Sequence, residues 1–156
     1  LWPVAAETSV GWICMHMQGN PQNMQRAPHY EDVVGEVWEF LDARAATATG
    51  AGIGEVWIDP GIGFGKTVAH NLALLRDLDV LTRGQYPVLV GLSRKSFLGA
   101  LTPNPDGSIA PAHDRLEASL AGAVWATTKG VAMVRVHDVR ATVAAVRIVC
   151  DEVAGA

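Results

Sequence analysis

The stretch Val56–Lys66, Val-Trp-Ile-Asp-Pro-Gly-Ile-Gly-Phe-Gly-Lys, limits this chain to few folds. An apolar run ends in a carboxylate, Asp59, and Pro60 cannot donate to a sheet ladder, so the strand is expected to stop there. Three alternating glycines follow, and a helix is expected from about Lys66. A buried parallel strand delivers a charged group to a site in this way and then turns sharply. Gly61, Gly63 and Gly65 have the freedom to take positive φ and to let a ligand approach the backbone. The plain alternative is an ordinary strand-to-helix turn that carries an Asp. Two phosphate-binding patterns fail here: a P-loop requires Gly where Pro60 stands, and a dinucleotide loop requires Gly where Lys66 stands.

The rest of the chain alternates between strand and helix. Gly11–Met17 reads as a buried strand, broken by Gln18–Pro21. Glu31–Gly50 has helical spacing, with Val33, Val34, Val37, Phe40, Leu41 and Ala45 on one face and Glu31, Asp32 and Glu36 at the N-terminal end. Thr67–Thr82 is expected to be the next helix, Pro87–Leu92 the third strand and Thr102–Pro111 an excursion loop. Asp114–Lys129 is expected as a helix with Asp114 at its N-cap, Val131–Val136 as the fourth strand and Val139–Val153 as the last helix. Leu1–Gly11 reads as the tail of a preceding element. The order βαβαβαβα argues for parallel strands with right-handed crossovers, and both an open doubly wound sheet and a (β/α) barrel satisfy it.

Each strand ends in residues with chemical potential. The first ends in Met15, His16, Met17 and Gln18, the second in Asp59, the third in Ser93, Arg94 and Lys95, and the fourth in Arg135 and His137. Parallel strands bring these ends to one face, the face where α/β enzymes bind ligands. One carboxylate there meets Arg94, Lys95 and Arg135, an excess of positive charge that suits an anionic, phosphate-bearing substrate. The lone Asp59 is free to accept hydrogen bonds from an amino-pyrimidine edge. Each residue has a plainer reading: Arg94 as an ion pair or backbone cap, Lys95 as a solvated lysine, Met15 as core, and His16 as a satisfied core histidine. His29, His70 and His113 read as loop or helix-end residues, and no His, Cys and carboxylate spacing resembles a metal site made by protein alone.

Composition narrows the classes further. A net charge of −4 with no basic tract argues against general nucleic-acid binding. The apolar runs fall far short of a membrane span. Cys14 and Cys150, one in a strand-like and one in a helix-like run, are expected to be unpaired and buried, which fits a reducing cytoplasm.

Four motifs in order resemble dihydropteroate synthase: Met15-His16-Met17-Gln18-Gly19-Asn20-Pro21, Asp59-Pro60-Gly61-Ile62-Gly63-Phe64-Gly65-Lys66, Gly91-Leu92-Ser93-Arg94-Lys95-Ser96-Phe97-Leu98-Gly99, and Arg135-Val136-His137-Asp138-Val139. The resemblance runs along almost the whole chain. It implies condensation of 6-hydroxymethyl-7,8-dihydropterin pyrophosphate with p-aminobenzoate, giving 7,8-dihydropteroate and pyrophosphate. It implies that Asp59 takes the pterin amino-pyrimidine edge, that Lys95 hydrogen-bonds the ring, that Arg135 packs on it, and that Met15 lines the pocket. Arg135 and His137 would hold the pyrophosphate, Phe64 and Ser96 would shape the p-aminobenzoate pocket, and Gly91 and Arg94 join the substrate-binding set. Asp59, Lys95, Arg135 and His137 form the implied catalytic set, and Mg²⁺ is implied with the pyrophosphate, its protein ligand lying outside this chain.

The family folds as an eight-stranded (β/α) TIM barrel, and four strand–helix units are visible here. Residues 1–156 are therefore expected to be the C-terminal half of a pterin-binding barrel, with exposed sheet edges and negligible activity alone. The resemblance also implies a homodimer through the late helices, Asp114–Lys129 and Val139–Val153, and a target for sulfonamide-like mimics of p-aminobenzoate. Two other readings remain: a pterin-binding methyltransferase domain, which needs no pyrophosphate-holding cations, and a non-catalytic paralogue of the synthase.

Overall fold

A computed structural model describes the backbone of residues 1–153 and the side chains of residues 1–150. Four parallel strands carry the fold: β1 (Trp12–Met15), β2 (Val56–Asp59), β3 (Leu89–Val90) and β4 (Met133–Val134). β1 pairs with β2, with Met15 opposite Asp59, and β3 pairs with β4, with Val90 opposite Val134. A parallel bridge between Ile58 and Val88 joins the two pairs. The spatial order is therefore the sequence order. A doubly wound sheet reverses direction at a switch point, whereas consecutive parallel neighbours are the arrangement of a (β/α) barrel wall. The fold is a barrel-type arc of about four βα units.

Helices cover one side of the arc. α1 spans Trp2–Thr8, α2 Val33–Gly50, α3 Val68–Arg76, α4 Leu78–Thr82, α5 Ser96–Leu101, α6 Leu116–Thr128 and α7 Val139–Arg147, and a π-helical turn, Ile148–Val153, follows. The best-buried face of α2, Val37, Leu41, Ala45 and Ala48, meets Ile58, Leu74, Leu78 and Leu81 in one continuous core. Strand alternation explains the other side. Cys14 and Ile58 point into this core, while Ile13, on the opposite face of β1, is 44 % exposed. Met133 on β4 is equally exposed. The inner face of the arc and its two edge strands are thus open, the consequence expected of half a barrel wall.

Local chemistry sets the boundaries. The Asp32 carboxylate caps α2 by accepting from Val34 N–H, and Glu36 accepts from the N–H groups of Glu31 and Asp32. Thr67 and His70 form a reciprocal capping box at the start of α3.

Several expectations need correction. The helix expected over Thr67–Thr82 breaks at Asp77, whose backbone leaves helical geometry (φ −105°, ψ 28°) while its carboxylate takes the Arg76 guanidinium. Asp114 is not an N-cap. It lies in a 3₁₀ turn, Ala112–Asp114, and α6 starts two residues later, at Leu116, because Arg115 is held by the carbonyls of Ala110 and Arg94. The Ser96–Leu101 segment forms α5, a helix too short for a periodicity signal; Leu1–Gly11, read as the tail of a preceding element, carries α1 and needs no correction. Cys14 is buried, but Cys150 is exposed on the π-helical turn, at the open groove between β4 and α7.

Candidate active site

The carboxylate of Asp59, at the last position of β2, is only 1 % exposed. Its Oδ1 accepts the Gly61 N–H at 2.8 Å, and its Oδ2 accepts from Arg135 Nη2 at 2.9 Å. Arg135 follows β4, so its side chain must cross the end of β3. Gly91 makes this passage: a Cβ there would stand 2.9 Å from Arg135 Nη2 and 3.2 Å from Nε. Half of the Arg135 side chain remains exposed, so this is a buried acceptor reached from a solvated donor.

The glycine loop lies over the end of β1. A Cβ on Gly61 would overlap the His16 carbonyl, and one on Gly65 would stand 2.5 Å from the Gln18 carbonyl. Both glycines also have positive φ, 64° and 62°. The close approach for which the glycines are needed is thus made by this chain's own backbone at His16–Gln18, a correction to the ligand approach expected from the sequence.

Beneath the loop lies Lys66, 3 % exposed. Its Nζ meets three acceptors: His16 Nδ1 at 2.9 Å, the Phe64 carbonyl at 3.1 Å and the Gly61 carbonyl at 3.2 Å. Three hydrogens on an ammonium match three acceptors. Burial opposes the charge and brings the Lys66 pKa down to about 7; nearby Asp59 pulls the other way and Lys95 adds to the depression. Burial, reinforced by the Lys66 charge, lowers His16 to about 4, so its ring is neutral and accepts at Nδ1.

Above the loop, Lys95 Nζ donates to the Ile62 carbonyl and lies 4.3 Å from the Phe64 ring centroid, a cation–π contact. Burial lowers its pKa to about 8; Asp59 opposes the shift and Arg135 assists it. Lys95 reaches this position from the turn after β3, where Arg94 holds a left-handed conformation (φ 60°). Three contacts over-determine that residue. Its N–H donates to Ser119 Oγ, its carbonyl accepts from Arg115 Nη1, and its guanidinium grips Asp138 through two bonds, at 2.6 and 3.1 Å. The Arg94 guanidinium holds the Asp138 carboxyl below the usual carboxylate range. Beside this pair, the Ser93 hydroxyl stands 3.1 Å from His137 Nδ1 and 3.3 Å from the His137 backbone nitrogen.

Met15, Asp59, Phe64, Gly91, Lys95, Arg135 and His137 therefore gather at the C-terminal ends of the four strands. Arg94 is turned to Asp138, and Ser96 is exposed in the first turn of α5. Sequence reasoning gave no role to Lys66 or to the Ser93 hydroxyl. The one available signal for Lys66 was a pair of polar residues, His16 and Lys66, each set in an apolar or glycine-rich run without a partner of its own. Among the described residues no group of three or more His, Cys, Asp or Glu side chains is placed to hold a metal ion. Both oxygens of Asp59 are already engaged, and the surrounding cations disfavour a divalent ion on these side chains alone.

Comparison with known proteins bears on the same residues. The family model described as "Pterin binding enzyme" matches residues 1–137. The dihydropteroate synthase of Neisseria meningitidis serogroup C is 45 % identical over 147 residues, which cover 92 % of this chain and 50 % of that protein. Two crystal structures of dihydropteroate synthase from Thermus thermophilus superpose closely. The complex with 6HMPPP has a TM-score of 0.88 at 43 % identity, covering 94 % of this chain and 57 % of that one. The complex with 4-aminobenzoate has a TM-score of 0.86 at 44 % identity, covering 94 % and 58 %. The chain spans about half the length of the curated relatives it matches. With the family match running unbroken through the strand ends that carry Asp59, Lys95 and Arg135, the chain belongs to the family of pterin-binding enzymes.

Proposed function

We propose that this chain is the half of a dihydropteroate synthase barrel that holds the pterin ring and the leaving group. The observation that carries the reading is the buried Asp59 carboxylate, offered at a strand end between Arg135 and Lys95. A pterin presents an N–H and NH₂ edge on one side and, in the activated substrate, a pyrophosphate on the other. Asp59 matches the first with paired acceptors, and Arg135 and His137 match the second with donors. Related synthases crystallised with 6HMPPP and with 4-aminobenzoate support these substrate classes.

The residues act in sequence. Arg135 yields Asp59 Oδ2 to the pterin edge and turns its guanidinium to the ring and the pyrophosphate. Lys95 exchanges the Ile62 carbonyl for a ring acceptor, and Met15 closes the pocket beside Asp59. The C–O bond to pyrophosphate then breaks with its electron pair going to the leaving group. The pterin-methyl cation is stabilised by the Asp59 carboxylate, and the departing charge by Arg135 and His137. Phe64 and Ser96 hold p-aminobenzoate, whose amine attacks the methylene carbon and loses a proton. Mg²⁺ would neutralise the pyrophosphate; the donors described above do not form its site, and no step here depends on it.

Two further features belong to this reading. The protein is a cytoplasmic homodimer, supported by a free buried Cys14 and by exposed apolar side chains on the last two helices, Trp125, Val139 and Val143. The side chains of Asp151–Val153, at the end of the proposed interface helix, lie outside the described residues. No helix of the described residues is long and apolar enough to cross a membrane.

The test supplies both substrates to the intact protein that carries this sequence and follows 7,8-dihydropteroate and pyrophosphate together. Equal yields support the synthase. Pterin binding without product would make it a non-catalytic paralogue, and dependence on a folate methyl donor would make it a methyltransferase. The 156-residue chain alone is expected to show negligible turnover, and measurable turnover would refute that half of the proposal.

A further inference from the structure

The exits of β3 and β4 are tied by two adjacent pairs. Ser93 meets His137, and the next residues, Arg94 and Asp138, form the two-bond ion pair. Arg94 is itself fixed by Ser119 and Arg115, so Ser93 has little freedom to move. Such bracing exceeds what a turn requires.

The Ser93 hydroxyl decides the state of the ring. Ser93 is 7 % exposed. Its oxygen accepts the His137 backbone N–H, and the only acceptor in reach of its own hydrogen, among the described residues, is His137 Nδ1. If Nδ1 carried the proton of a neutral ring, both lone pairs of the serine oxygen would be taken and the hydroxyl hydrogen of Ser93 would have no acceptor among the described residues, which is costly for a side chain this little exposed. The satisfied arrangement has Ser93 Oγ–H donating to a bare Nδ1. The ring proton of neutral His137 then lies on Nε2, which has no partner among the described residues.

We infer that Ser93 is a positioning residue that accepts no proton from the ring but donates to Nδ1, so that the neutral form of His137 is held as its Nε2–H tautomer and aims that N–H at an oxygen of the anionic leaving group. The inference deepens the synthase proposal and rests on it for the identity of that anion. The consequence is functional. A neutral donor assists pyrophosphate departure without prior protonation, and it does not hold the product by full charge. Arg135 supplies the permanent cation at the same strand exit, so the two groups divide the work into charge and direction.

The experiment reads the tautomer directly. The intact protein, labelled with ¹⁵N at histidine, is examined by long-range ¹H–¹⁵N correlation at about pH 8.5, some two units above the ordinary imidazole pKa. His137 is expected to show a protonated Nε2 and a bare Nδ1. A protonated Nδ1, or rapid exchange between tautomers, overturns the inference even if the protein makes dihydropteroate. The Nε2–H form in a protein that makes none would leave the tautomer standing and refute the synthase reading. Ser93→Ala should release the tautomer preference and weaken inorganic pyrophosphate binding by roughly three- to tenfold, the effect of one hydrogen bond, with pterin binding unchanged. Ser93→Thr, which keeps the hydroxyl, should restore both. If Ser93→Ala fails to fold, the spectrum of the unsubstituted protein and the Thr variant still decide.

Discussion

Arg135 reaches Asp59 across Gly91: Nη2 lies 2.9 Å from Oδ2, along a path that a single methyl group would obstruct. The pair ties the end of β2 to the exit of β4, two residues beyond the position level with Asp59, and spans 76 residues of sequence. It gives the free protein a satisfied carboxylate, and under the proposed function an incoming aminopyrimidine would displace a donor rather than approach a desolvated charge.

Asp59→Asn should therefore weaken pterin binding sharply. The amide offers one acceptor where the carboxylate offers two, and the charge-assisted character of both bonds is lost. A charged hydrogen bond is worth about 1.5–3 kcal/mol, so affinity is expected to fall roughly ten- to 150-fold, measured by titration calorimetry with a dihydropterin. Unchanged affinity would remove Asp59 from the site.

Gly91→Ala separates site geometry from stability. Gly91 does not have a positive φ, so its backbone accepts alanine, and the atoms a methyl would meet are the end of a flexible, half-exposed arginine. Thermal unfolding should change by less than about 1 kcal/mol, the scale of a tolerated Gly→Ala change. Turnover should fall, because Arg135 can no longer lie over β3. A variant that is strongly destabilised yet catalytically normal would contradict this assignment.

The sequence made the gathering of the strand ends legible, because parallel strands place their ends together wherever the chain wanders between them. Pro60 fixed the end of β2, and the Asp59–Lys66 and Gly91–Gly99 motifs named the family. The Lys66–His16 bond was not legible: its partners are 50 residues apart, and neither residue carries a local signature. The purpose of the glycines was misread for a related reason, since a backbone approaching from β1 leaves no trace in the loop's own residues. The role of Arg94 as the partner of Asp138 was legible only as one alternative, because an arginine at a strand end suits an ion pair and a substrate equally well.

Lys66 should leave a mark on the pH dependence of stability. Its pKa is about 7 folded against an ordinary 10.5. Between those values the unfolded chain holds a proton that the folded one lacks. Unfolding free energy therefore rises with pH across this window, and the gain is lost as pH falls through about 7. The slope from one such group approaches about 1.4 kcal/mol per pH unit. Lys66→Met should flatten the urea-unfolding profile between about pH 7 and 10, leaving the smaller window of Lys95 (about 8 folded). A profile unaltered by the substitution would mean that Lys66 titrates normally.

His16 works in the opposite range. Its pKa of about 4 lies below the ordinary 6.5, so its contribution is complete above about 6.5 and lost as pH falls through 4. Protonation at Nδ1 replaces an acceptor with a donor 2.9 Å from the Lys66 ammonium and sets two cations face to face. The glycine loop should then lift from the end of β1 before the helical core unfolds. Hydrogen-exchange protection at Gly61 and Phe64, whose N–H groups are bonded within the loop, should fall between about pH 6 and 4 ahead of that at Leu41 and Leu74, which lie in the fully buried core. Simultaneous loss of protection at both sets would show that the loop has no independent opening.

The last two helices carry the dimer proposal to a direct test. Trp125 on α6 is 46 % exposed, although its indole N–H is satisfied by the Leu75 carbonyl, and Val143 on α7 is 45 % exposed. An exposed apolar side chain without a polar contact loses little when replaced by a charged residue in a monomer, but the charged replacement opposes burial in an interface. Val143→Glu should shift the intact protein from dimer to monomer in sedimentation velocity; because Val143 also lines the groove beside edge strand β4, retained circular dichroism is required to read the shift as loss of the interface rather than of the fold. Trp125→Glu is the harsher variant, because it also deletes the bond to Leu75. A dimer that survives both substitutions would place the interface on another face, and a protein that is monomeric before substitution would remove the dimer altogether.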